Sequence, residues 1–204
     1  MQLTVVRNKP NPAGKDRPAY SGPTAEQLAA EWVDFRNDSG RDADLNGVAL
    51  CHVAYTASGS TWSLVQTFKG TIKPSEIVRV HSGRDRGLSV IRPEDRQGAH
   101  YHLFTGEDAY VWNNRQGDRP RLRNNATNQE IDQTYYAPNP PEGVVLVRVG
   151  DQRLDIGRHV GIFLQIGPVG LDGPGVITHA STGLGQMKGG HVGGIDGRHQ
   201  PAAL

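Results

Sequence analysis

Ile77-Val78-Arg79-Val80-His81 is the stretch whose reading decides the fold class. Val78 and Val80 stand two apart, so on a strand they share a face while Arg79 points to the other. Working outward, comparable short runs recur at Trp32-Val33-Asp34-Phe35-Arg36, Leu45 to Ala54, Thr61 to Phe68, His100 to Phe104 and Ala109 to Asn113. β-rich runs of this length, separated by turn residues, predict an all-β sandwich.

Composition agrees with that reading. The 204 residues include 26 glycines and 13 prolines, and the apolar 36% is spread in short runs, which suits strands joined by turns better than a helical bundle. With 22 basic against 21 acidic side chains, no global field draws the chain to nucleic acid or to an anionic membrane. Cys51 is the single cysteine, so an internal disulfide and a thiolate metal cluster are both excluded. Neither a signal-type apolar stretch at Met1 to Asn11 nor a run of apolar residues long enough to span a bilayer occurs. The expectation is a protein of the cytoplasm, or of a particle assembled there, with no membrane partner.

Residues 1–23 carry Pro10, Pro12, Gly14, Pro18, Gly22 and Pro23 among charges, the pattern of an extended arm with room for one short strand at Gln2 to Arg7. Thr24 reads as the N-cap of a brief helix over Ala25 to Ala30, with Glu26 where the helix dipole favours negative charge. The sandwich is expected over 24–137. Pro138-Asn139-Pro140-Pro141-Glu142-Gly143 is a stiff connector that opens a C-terminal extension, 138–204, with strand candidates at Val144 to Val149 and Val160 to Ile166. Its last part, Gly175 to Leu204, holds eight glycines and three histidines and is expected to order only against a partner.

Three segments in the middle of the chain resemble a lamin-tail domain. Asp44-Leu45-Asn46-Gly47-Val48-Ala49-Leu50 is similar to that family's opening strand, and Val78-Arg79-Val80-His81-Ser82-Gly83 to its basic-aliphatic turn. Tyr110-Val111-Trp112-Asn113-Asn114-Arg115-Gln116-Gly117-Asp118 resembles its Trp-Asn-Asn-x-Gly-Asp corner, with one extra residue in the turn. The resemblance spans about residues 31–123, and Arg84 to Ala99 departs from it as a long insertion. It implies an immunoglobulin-like sandwich without catalysis or cofactor, used for adhesion, assembly or contact with DNA. Leu45, Gly47, Val80, Gly83, Trp112, Asn113, Gly117 and Asp118 are then fold-signature residues. Independently of the family, Trp112 supplies a large surface to close a core, Asn113, Asn114 and Gly117 suit left-handed turn angles, and Asp118 can accept from turn amides.

Candidate partner-binding residues lie in the arginine-rich stretch 79–123, where nine arginines meet six acids. Arg84, Arg86, Arg92, Arg96, Arg115, Arg119 and Arg121 could match phosphate or carboxylate groups, although interleaved acids favour a self-compensated surface. His100 and His102 flank Tyr101, the spacing of a two-histidine clip that His81 could complete, while His179, His191 and His199 sit in the Gly-rich end. Neither set has a fixed acidic or cysteine partner, and no metal or cofactor is expected. No Gly-x-Ser-x-Gly elbow, phosphate loop or His-Glu-x-x-His pair occurs, and the neighbours Glu107-Asp108 and Glu94-Asp95 would point apart on a strand. The sequence therefore predicts a non-catalytic protein that docks on neighbouring subunits as a homo-oligomer or within a larger assembly, such as a virus, phage or bacterial particle. The alternative is an accessory module that contacts nucleic acid through its arginine-rich loops, and a small hydrolase or metal protein built on the histidines ranks third.

Overall fold

Alternating apolar residues from two sheets meet in one core. The computed structural model describes residues 2–17 and 20–148 and the backbone of 164–166, all within a unit spanning Met1–Val169. The strands are β1 (Leu3–Lys9), β2 (Trp32–Asn37), β3 (Ala43–Asp44), β4 (Val48–Thr56), β5 (Gly59–Thr67) and β6 (Thr71–Ile72). They continue with β7 (Ile77–His81), β8 (Tyr101–Phe104), β9 (Arg121–Asn124), β10 (Glu130–Gln133), β11 (Val145–Val147) and β12 (Leu164–Ile166). Two short helices, α1 (Ala25–Ala29) and α2 (Pro93–Arg96), lie between strands. One sheet has six strands in the order β12-β11-β1-β2-β7-β8, a second has four in the order β10-β9-β4-β5, and β3 pairs with β6. The architecture is all-β and sandwich-like. Its pairings are antiparallel except β7 with β8, which run parallel.

The core lies between the two larger sheets. Leu3, Val5, Val33, Phe35, Val78 and Val80 face Val48, Leu50 and Leu122 across it, and Phe35 and Phe68 bring their rings to 4.9 Å. Trp112 and Tyr136 belong to the same cluster.

The opposite face of the six-stranded sheet is buried too, and it is charged. Arg79, set across from the valines by the strand alternation, bonds both carboxyl oxygens of Asp34 at 2.7 and 2.8 Å and stacks on the Trp32 ring at 3.6 Å. The insertion covers it, because Arg79 Nη1 also donates to the carbonyls of Asp95 and Gln97. Asp95 in turn accepts from Lys9 Nζ and from the Trp32 indole at 2.7 Å. Buried charge is tolerated when it is paired and hydrogen-bonded, and each nitrogen of the Arg79 guanidinium donates to an acceptor on β2 or in the insertion.

Several expectations hold. Thr24 caps α1 as predicted, in a reciprocal box with Gln27. The strand expected near Gln2 to Arg7 forms as β1, but it is an interior strand between β2 and β11 and not part of a free arm. Val145–Val147 pairs with β1 and Leu164–Ile166 with Val145–Val147, so both strands of the C-terminal extension join the first sheet.

Other expectations do not hold. Ala109 to Asn113 is not a strand: its chain dips inward so that Trp112 enters the core, and the N–H groups of Val111 and Trp112 bond the Glu31 carboxylate in place of a ladder. Arg121–Asn124 and Glu130–Gln133 are strands that no alternation announced, since their outward positions are charged and each run is four residues long. The Gly-rich end and its histidines lie outside the described residues. Among the described residues, no helix is long and apolar enough to cross a membrane.

Asp34→Ala leaves Arg79 charged, buried and without its main partner, and should destabilise the fold by about 3–5 kcal/mol. The matched change Asp38→Ala removes the partner of partly exposed Arg36 and should cost at most about 1 kcal/mol. Urea denaturation midpoints at unchanged m-value would measure both.

Candidate interaction surface

Among the described residues, the outer face of the four-stranded sheet stands open at β5 and the end of β4. Along β4 the residues turned away from the core are Ala49, Cys51, Val53 and Tyr55, and the register places Leu64, Trp62 and Ser60 of β5 opposite the last three. On the other side of β4, Arg121 and Arg123 lie opposite Cys51 and Ala49. Tyr55 and Trp62 are each 38% exposed and Leu64 is 52% exposed, values that set these side chains apart from the buried apolar residues of the core. Contiguous apolar and aromatic groups exposed on a sheet face characterise binding surfaces.

Arginines frame this patch. The Arg121 guanidinium lies 4.8 Å over the Trp62 ring, its Nη2 donates to the Asn128 carbonyl at 3.2 Å, and Glu130 pairs with its Nε at 3.2 Å. Arg123 is held by the side chains of Asn128 and Asn125 within the β9–β10 turn. Beneath them Cys51 is buried, and that burial pushes its thiol up from the ordinary value against the pull of Arg123 and Arg121.

The expected partner-binding arginines do not form one patch. Arg84 pairs with Asp108, Arg92 with Glu26, and Arg96 Nε donates to the Ile91 carbonyl, so three arginines of the insertion that covers the six-stranded sheet are engaged, two of them with acids outside it. Arg86 is exposed on that insertion. Arg115 and Arg119 are exposed beside the Trp112 corner, and Arg121 alone of the seven joins the aromatic face. Tyr55, Trp62 and Leu64 were not singled out from sequence. The signal was present in Gly59-Ser60-Thr61-Trp62-Ser63-Leu64-Val65-Gln66-Thr67, where bulky residues alternate with small polar ones and no charge interrupts.

The fold-signature residues sit where turns and core need them. Leu45, Val80 and Trp112 are core residues, and Gly47, Gly83 and Gly117 all take positive φ. Gly117 has the strictest requirement, because a Cβ there would stand 2.3 Å from the Tyr136 carbonyl oxygen. Asn113 and Asn114 do not adopt the left-handed angles that Gly117 does. Asp118 accepts as expected and reaches further: it bonds the N–H groups of Asn113, Arg119 and Val53, and His52 Nδ1 at 3.0 Å. The corner is closed by the Tyr136 hydroxyl on the Asn113 carbonyl.

The groups with acid–base potential are committed to the fold. Glu31 is buried, and that burial pushes its carboxyl up while Lys15, Ser82 and the Val111 N–H pull it back. The Ser82 hydroxyl and the Lys15 ammonium both donate to it. The predicted histidine clip is realised differently: His81 and His102 stack with their nitrogens 2.9 Å apart, while His100 instead accepts the Ile77 N–H. His81 Nδ1–H donates to the Ala29 carbonyl, which leaves Nε2 as an acceptor for His102. Burial drives the His81 pKa down to about 3. Among the described residues, no group of three or more metal-ligating side chains gathers. No known family model matches the chain, and no curated protein matches it.

The His81 shift has a definite sign. Its folded value lies below the ordinary 6.5, so its contribution is complete above pH 6.5 and is lost as pH falls from there toward about 3, where the unfolded chain binds a proton the folded one refuses. Thermal unfolding followed from pH 7 to 4 should show the wild type losing stability more steeply than His81→Gln, by up to about 1.4 kcal/mol per pH unit. A second check concerns Cys51, which should resist a thiol reagent in the folded protein and react once the chain is unfolded.

Proposed function

We propose that the chain is a non-catalytic interaction module that docks on neighbouring protein subunits through the outer face of the β10-β9-β4-β5 sheet. The observation that carries this reading is the exposed set Tyr55, Trp62 and Leu64 at the end of this face that stands open among the described residues. The other broad face is sealed by the insertion through Asp95, so among the described residues one sheet is covered and the other is open at its β5 end. The resemblance to a lamin-tail domain, a family of assembly and adhesion modules, is supported by the sandwich-like fold and by Trp112 in the core at the corner that carries the motif.

The nucleic-acid reading draws on the Arg121–Trp62 pair, since an aromatic ring flanked by guanidinium can stack a base. Its weakness is that Arg121 and Arg123 already bond Glu130, Asn125 and Asn128. A protein partner, which gains from the apolar groups themselves, suits the face better.

Light scattering on the full chain should give a mass above the 22.1 kDa of one copy, insensitive to salt. Combined Tyr55→Ser, Trp62→Ser and Leu64→Ser changes should abolish the association while the folded circular dichroism spectrum persists. A monomer that instead binds single-stranded oligonucleotide, with affinity falling steeply as salt rises and lost in Arg119→Gln with Arg121→Gln, would replace the protein-docking reading with the nucleic-acid one.

A further inference from the structure

We propose that the partner is a second copy of this chain, joined by antiparallel pairing of β5 with its two-fold mate to make one continuous sheet twice as wide; this rests on the docking reading above and names its occupant. β5 is the terminal strand of its sheet, and among the described residues nothing pairs with its outer edge. An open edge is ordinarily guarded by charge, by proline or by being short. β8 and β10 are four residues long, and β10 carries Glu130 and Asp132. β5 runs nine residues with neither a charge nor a proline.

The register shows which backbone groups are on offer. Thr56 and Gly59 are the last pair before the hairpin turn, so they must exchange hydrogen bonds with each other. Bonded and non-bonded pairs then alternate: Thr61 and Ser63 bond inward to Ala54 and His52, while Ser60, Trp62 and Leu64 turn their N–H and C=O groups to the open edge. The far side of the ladder agrees. Val53, opposite Trp62, directs its N–H away from β5 to Asp118 Oδ1 at 2.8 Å.

These three residues are self-complementary. A two-fold axis at Trp62 sets Trp62 against its mate about 5.5 Å away and Ser60 against Leu64, and each pair can exchange both backbone bonds. The same three side chains lie on the outer face, so pairing also sets the two exposed indole rings against each other and each Leu64 diagonal to the indole of the other copy. Because the strand is uncharged, self-pairing sets no like charges opposite one another.

The test is backbone amide exchange and molar mass on the full chain. The expected mass is twice 22.1 kDa. The Trp62 and Leu64 amides should be slow to exchange when concentrated and become fast on dilution, while those of Thr61 and Ser63 stay protected throughout. Ser60→Pro removes one edge donor without touching the bonds to β4, and should return the mass to that of one copy with Thr61 and Ser63 still protected. A monomeric wild type, or edge amides that exchange fast at every concentration, overturns the proposal. Association lost in Trp62→Ser with Leu64→Ser but retained in Ser60→Pro overturns the edge pairing alone and leaves the docking face standing.

Discussion

The guanidinium of Arg79 is the constraint on which the rest of the molecule depends. An arginine cannot shed its charge, so in the interior it must be matched at every donor. Asp34 on the adjacent strand takes two of its bonds, the indole of Trp32 covers its face, and the chain after β7 supplies carbonyls from Asp95 and Gln97. That last requirement explains the length of the Arg84 to Ala99 segment. It leaves the sheet, crosses over Arg79 and returns as β8 beside β7, and so long a crossover permits the two strands to run parallel. Asp95, drawn over the sheet with it, needs its own partners and finds them in Lys9 and Trp32. One buried cation thereby fixes the placement of β1, β2, β7 and α2.

A second set of buried carboxylates holds irregular chain where ladders are absent. Glu31 gathers Lys15, Ser82 and the amides of Val111 and Trp112, and so joins the amino-terminal segment to the corner that carries the core tryptophan. Asp118 does the same from the four-stranded sheet, reaching Val53 and His52.

The strands with clean alternation, Trp32 to Arg36 and Ile77 to His81, were legible because period-two patterning is a local property. β9 and β10 were not, since Arg121, Arg123, Glu130 and Asp132 read as a polar loop until β4 is seen to lie beside them. Ala109 to Asn113 misled for the opposite reason: an aromatic-rich run looks like a strand, but its amides are satisfied by Glu31, far away in sequence. The Trp112 corner was recognisable from its own residues. The Arg79 layer was half legible, in that alternation gave the direction of the side chain and could not give the segment that buries it. The exposed face was missed because Trp62 and Leu64 look like core residues until the sheet order puts β5 at an edge.

The place of β1 also bears on how the chain is made. Translated before both of its neighbours, it finds β2 soon after, but the other, β11, lies near residue 146. At about 5–20 residues per second, that flank of β1 waits on the order of ten seconds for its mate. During this interval the nascent chain carries a half-paired strand with Leu3 and Val5 on its core face, so the first sheet is filled in only once the chain near residue 146 arrives.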